Sequence, residues 1–287
     1  MKRFIIILFI LLIVSVVGCS KNNDKQNERL KIITIHSTSL NKDMTAQVYL
    51  PENYDNNIKY PVLYFLPSYG GSSYTVINQF GITDSVDRLI QSNQIQSIIM
   101  AALGTDSSFG VNYGKETRGF VTSSGKTVDE GMYEDYIINE AIPYIEEQFN
   151  TYESKDGRYI GGYSMGGFAA LHIAFRHPDL FSKVGGHSPS LFVKEFPDTG
   201  ISDWLYPDNN IRSQRDPIWL AQSNDLTGLS VYLDTDNSGV NVEGCQKLYD
   251  ILSENGIDVE FNLFPGTHGY AYCNNNMDKY LLFYVGK

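Results

Sequence analysis

The sequence of 287 residues predicts a single α/β domain: a mostly parallel central sheet with helices on both faces. Three observations carry that expectation. From Leu30 onward, short apolar runs alternate with longer stretches whose apolar residues recur at helical spacing. Some of the short runs, such as Val62–Leu66, are apolar at every position, as in strands covered on both faces. No linker-like stretch or internal repeat interrupts the pattern, and a chain of this length can enclose one large core.

The elements follow in order. Met1–Ser20 stands apart from the fold. Lys2 and Arg3 precede Phe4–Val17, which is apolar except for Ser15. That run is shorter than the roughly 20 residues that span a bilayer, and it suits the hydrophobic region of a secretory signal. Gly18-Cys19 follows directly. Residues 19–29 have almost no apolar side chains and read as a solvated tether to a domain over residues 30–287. Lys31–Ser39 and Thr45–Leu50 predict an antiparallel pair, and Val62–Leu66 and Ile95–Leu103 buried strands. Glu130–Phe149 has helical spacing with Pro143 inside it, which predicts a kink. Arg158–Tyr163 reads as a strand and Met165–Arg176 as its helix. Leu229–Thr235, Asn241–Asn255 and Val259–Phe264 repeat strand, helix and strand, and Asp278–Tyr284 closes the chain as a helix.

Composition excludes several function classes. With 33 acidic against 22 basic side chains the net charge is −11, which excludes a basic footprint for nucleic acid. Without Lys2 and Arg3 it becomes −13. A hydrophobic fraction of 42% excludes wholesale disorder. Of the three cysteines, Cys245 and Cys273 leave a disulfide open, and none sits at zinc-ligand spacing.

Gly162-Tyr163-Ser164-Met165-Gly166 matches G-x-S-x-G between a strand and a helix. In that context the serine occupies a strained turn that exposes its hydroxyl at the sheet's C-terminal edge. The following N–H, that of Met165, points where an oxyanion would develop. A histidine should serve as base. Among His36, His172, His177, His187 and His268, the last lies in Pro265-Gly266-Thr267-His268, the loop after the final strand. The order Ser, Asp, His suits it, with His187 in Gly185-Gly186-His187-Ser188 as runner-up. The acid should come from the loop after Leu229–Thr235. Asp236 is the first choice, Asp234 the second and Glu243 the third. The same Asp-x-Asp-Asn-Ser-Gly stretch opens like a calcium loop, but Cys245 stands where the bidentate carboxylate should be.

Together these stretches resemble the esterase-D-like group of α/β hydrolases, which includes S-formylglutathione hydrolases, feruloyl esterases and mycolyltransferases. The resemblance runs through YPVLYFLPSYGGSSYTV, YEDYIINEAIPYIEEQFNT, GGYSMGGFAALHIAFRHPDLFSKVGGHSPSLF and NLFPGTHGYAY. It implies the α/β-hydrolase fold, with Ser164 as nucleophile and His268 as base. It also implies a second oxyanion donor at the N–H of Tyr69, although Pro67-Ser68 replaces the group's usual His-Gly. The group's Gly-x-x-Asp column falls on Ser238 or Gly239, which makes Asp236 a displaced acid. Val16-Val17-Gly18-Cys19 resembles a bacterial lipobox, which implies lipidation of Cys19 and a membrane-anchored extracytoplasmic protein. Tyr69, Tyr74, Phe109, Tyr113 and Trp204–Tyr206 are candidates to line the cleft, and residues 192–225 resemble the variable insertion over it.

The expected activity is hydrolysis of a small-molecule or polysaccharide-linked carboxylic ester, with no cofactor, no metal and no nucleic-acid partner. An acyltransferase would use the same groups, and a non-catalytic binding protein could keep the same fold.

Overall fold

The computed structural model describes residues 28–193, 198–237 and 239–287. The expected signal peptide, Cys19 and most of the expected tether lie outside the described residues. Eight strands form one sheet in the order β1-β2-β4-β3-β7-β8-β9-β10. They are β1 (Leu30–Ser37), β2 (Lys42–Tyr49), β3 (Val62–Leu66), β4 (Ile99–Leu103), β7 (Arg158–Tyr163), β8 (Lys183–His187), β9 (Ser230–Asp236) and β10 (Asp258–Phe264). β1 and β2 are antiparallel, as are β2 and β4, and every pairing from β4 to β10 is parallel. This is the α/β-hydrolase architecture. A separate hairpin, β5 (Asn112–Val121) with β6 (Thr127–Met132), was not foreseen from the sequence. β5 is largely exposed and both strands carry charged residues, so they lack the apolar run that marks a buried strand.

The helices are α1 (Ser73–Gln79), α2 (Ile82–Gln91), α3 (Tyr133–Asp135), α4 (Ile142–Gln148), α5 (Met165–Arg176), α6 (Thr199–Leu205), α7 (Asn209–Arg215), α8 (Pro217–Ser223), α9 (Val242–Glu254) and α10 (Tyr270–Val285). A π-helical turn, Tyr136–Ala141, joins α3 to α4. The kink expected at Pro143 is met by this widened turn just before it, in a helix that runs unbroken from Tyr133 to Gln148. Glu130–Met132 belong to β6 rather than to that helix.

Two apolar clusters cover the sheet, one on each face. α5 and α9 pack on one face with Phe168, Ile173, Cys245 and Leu248, and α2 and α10 on the other with Val86, Cys273, Met277 and Tyr280. Cys245 and Cys273 are thus buried free thiols in opposite layers, which disposes of the disulfide left open by the sequence.

The tether expected over residues 19–29 ends earlier than Arg29. The Arg29 guanidinium donates to both carboxylate oxygens of Asp87 at 2.8 and 2.5 Å and to the Leu50 carbonyl at 3.2 Å.

Candidate active site

Ser164 follows β7 and precedes the first turn of α5, with φ 59° and ψ −116°. That conformation costs a non-glycine residue on the order of 1–3 kcal/mol. Backbone bonds hold it: the Ser164 N–H donates to the His187 carbonyl at 2.9 Å, and its carbonyl accepts from Phe168 and Ser190. The neighbouring glycines are required by space. A Cβ on Gly162 would run into the Gly166 backbone, and one on Gly166 into the carbonyls of Leu66 and Pro67. That second contact also shows where the β3 loop runs. Leu66 and Pro67 pass beside the first turn of α5, where the Met165 N–H begins the helix. Tyr69 turns its side chain away, and its hydroxyl donates to the Thr127 carbonyl at 2.5 Å.

His268 Nε2 lies 2.9 Å from Ser164 Oγ. The other four histidines are engaged elsewhere. His36 is on the surface with Asp43, and His172 and His177 both meet the buried Glu134. His187, the runner-up, is fully buried in the layer beneath the sheet, its Nδ1 3.1 Å from Asp234 and its Nε2 3.1 Å from the Tyr284 hydroxyl. Burial pushes the His187 imidazole below its usual value, although Asp234 pulls the other way.

His268 is held from two sides. Its ring stacks on Tyr163 at 4.9 Å, and the Tyr163 hydroxyl accepts the Gly269 N–H at 2.7 Å. Burial pushes its imidazole below the usual histidine value, and the nearby Asp236 and Asp234 charges oppose that only in part.

The structure does not place the expected acid on His268. Nδ1 is met by the Ser188 hydroxyl at 2.9 Å, and Ser188 Oγ lies 3.2 Å from Thr235 Oγ1. Asp236 ends β9 with its carboxylate folded against its own turn, so close to Gly239 that a Cβ there would collide with it. Asp234 is two residues back on the same strand and serves the core: its carboxylate accepts from Tyr272 at 2.7 Å and Tyr280 at 3.0 Å. Glu243 is exposed in the first turn of α9. β9 ends level with the site, but its last carboxylate is drawn into the following turn, and the vacated position beside Nδ1 falls to the residue after β8.

Sequence reasoning missed three residues here. Ser188 and Ser190 sit in an unremarkable turn, although Ser190 Oγ stands 3.4 Å from Ser164 Oγ. Tyr163 occupies the variable position of G-x-S-x-G. No sequence signal marked Ser188, because the strand before it, Lys183–His187, reads as a glycine loop.

Of the aromatic candidates, Phe109 packs edge-on to Phe168 at 5.5 Å, and Tyr113 stacks on Trp204 at 5.2 Å. This cluster fastens α6 and the hairpin to α5, while Tyr74 stands exposed on α1.

The Esterase family model matches residues 37–284. The chain belongs to the esterase family. YjcH of Bacillus subtilis (strain 168) is 26% identical over 82% of this chain and 89% of its own length. An endo-1,4-beta-xylanase/feruloyl esterase of Xylanibacter ruminicola is 32% identical over 60% of this chain. This chain spans only 23% of that larger protein. Among solved structures, a ferulic acid esterase superposes with a TM-score of 0.74 at 21% identity, covering 89% of this chain and 96% of its own.

Proposed function

We propose that this esterase is an exported serine hydrolase of carboxylic esters, held to a membrane through Cys19, and that it works through an acyl-enzyme. One observation carries the reading: a serine on a strained strand-to-helix turn has a histidine imidazole nitrogen 2.9 Å from its hydroxyl. Ser164 Oγ attacks the ester carbonyl carbon as its proton passes to His268 Nε2. The carbonyl oxygen gains the negative charge and is met by the N–H groups of Met165 and Tyr69. Collapse breaks the C–O bond to the alcohol, which leaves with the proton from Nε2. Water then repeats the sequence and frees the acid. The feruloyl esterase relative and the ferulic acid esterase neighbour support a small-molecule or polysaccharide-linked ester as substrate.

The test is turnover of a short activated ester by wild type and Ser164→Ala, with fluorophosphonate labelling of both. Ser164→Ala should lose several orders of magnitude in kcat, as removal of a triad nucleophile does, and should not label. Equal turnover in the variant would reject the assignment. A wild type that neither turns over nor labels would favour a binding protein on this fold.

A further inference from the structure

A histidine that takes a proton at one ring nitrogen needs an acceptor at the other, to fix the tautomer and to support the cation that forms. In this esterase that second nitrogen is Nδ1 of His268, and the group on it is a hydroxyl. We propose that Ser188 is the positioning residue of His268, so that the reacting unit is Ser164–His268–Ser188 and its third member is neutral. The inference rests on the esterase reading above.

Ser188 is built into this place. It is fully buried, and its backbone is left-handed at φ 42°, an unfavourable region for a residue with a Cβ. Its N–H donates to the Asp234 carbonyl at 2.8 Å, and its carbonyl accepts from Asn241 Nδ2 at 3.4 Å. These bonds leave the hydroxyl two neighbours, His268 Nδ1 and Thr235 Oγ1. With Nδ1–H donating to Ser188 Oγ, the Ser188 proton has Thr235 Oγ1 as its acceptor. Donors then run in one direction from the imidazole to β9, and the Nε2 lone pair faces Ser164. When Nε2 takes the Ser164 proton, Nδ1–H keeps its bond and the positive charge is shared with Ser188 Oγ. Asp236 and Asp234 of β9 add negative charge nearby without a hydrogen bond to the ring, and the Tyr163 ring of β7 covers one face.

The test compares wild type, Ser188→Ala, Ser188→Gly and Asp236→Asn by the pH profile of kcat on a p-nitrophenyl ester, alongside NMR titration of the His268 imidazole. Glycine suits φ 42°, so Ser188→Gly removes the hydroxyl while easing the backbone, and a thermal melt checks its fold. Both Ser188 variants should lower kcat by about ten- to a hundredfold, the cost of stranding a buried donor, with KM little changed. Both should also move the His268 titration and the acid limb of kcat to lower pH, because the lost acceptor favours the cation. Asp236→Asn should cost less than either. A folded Ser188→Gly with kcat within about threefold of wild type would overturn the proposal. So would an Asp236→Asn loss near 10⁴, the signature of a triad carboxylate made an amide. If wild type hydrolyses no ester, the NMR titration still decides: a downward move in Ser188→Gly upholds the pairing while the esterase reading fails, and no move overturns it.

Discussion

At the scale of single residues, the site depends on a histidine made less basic by its surroundings. Burial lowers the His268 imidazole, while Asp236 and Asp234 raise it by less than burial takes away. Only the neutral ring can accept the Ser164 proton. A lowered value keeps the ring neutral further into acid, and activity should be lost only as the pH falls through it. The acid limb of kcat/KM, which reports the free enzyme, should therefore have its midpoint below the ordinary histidine value of about 6.5. A rate profile from pH 4 to 9 checks this, and a midpoint above that value would contradict it. A carboxylate hydrogen-bonded to Nδ1 would have moved the limb the other way, so the profile also bears on what sits there.

At the scale of elements, polar clusters lock the helices that carry the site. Glu134 of α3 accepts from Arg176 Nε at 2.7 Å and meets His177 Nε2 at 2.8 Å and His172 Nε2 at 3.3 Å, tying α3 to α5 below Ser164. Burial pushes its carboxyl up, but these hydrogen bonds together outweigh burial and hold it well below the usual carboxylate range. A depressed folded value gives stability that is present above the unfolded value of about 4.3 and is lost as the pH falls below it. Glu134→Gln should thus cost about 3 kcal/mol at pH 7 in urea denaturation, with the difference from wild type shrinking toward pH 3. A gap that widened in acid would refute the sign. β3 was legible because its apolar run is continuous, and β7 and α5 because the G-x-S-x-G turn marks where the one ends and the other begins. Ser164 and His268 were legible because each sits in a contiguous motif. β8 was not, since Lys183-Val184-Gly185-Gly186-His187 has the glycines of a loop. The structure explains them: a Cβ on Gly185 would strike the Tyr284 hydroxyl, and one on Gly186 would come within 2.6 Å of Leu171. Only with β8 in place does the next residue, Ser188, come under the histidine loop. Its role depends on which strands are neighbours, and the order of residues along the chain does not record that. α10 was foreseen only over its last residues because Asn274–Asn276 interrupt the apolar pattern, whereas in the fold Tyr272 and Tyr280 reach across to Asp234.

At the scale of the whole molecule, strand direction relates the site to the chain's beginning. β1 is antiparallel to β2 and β2 to β4, so β1 runs the same way as the parallel strands. Its first residue, Leu30, pairs with Tyr49, which pairs with Met100 near the start of β4. Arg29 is fastened there by Asp87. Ser164, Ser188 and His268 instead follow the C-terminal ends of β7, β8 and β10. The described chain therefore enters at one edge of the sheet, and the candidate site opens at the other. If Cys19 carries the anchor, as the sequence leads us to propose, the attachment reaches the domain at the sheet edge opposite the site. Two outcomes are expected. Cys19→Ala should abolish incorporation of a lipid label and leave a protein that is soluble or retained only by its uncleaved signal. Wild type on vesicles and the same protein released from them should hydrolyse a water-soluble ester with equal kcat/KM, because an attachment at the opposite edge leaves the approach to Ser164 open. Equal lipid incorporation in wild type and Cys19→Ala would reject the anchor, and a marked loss of rate on vesicles would reject the open approach.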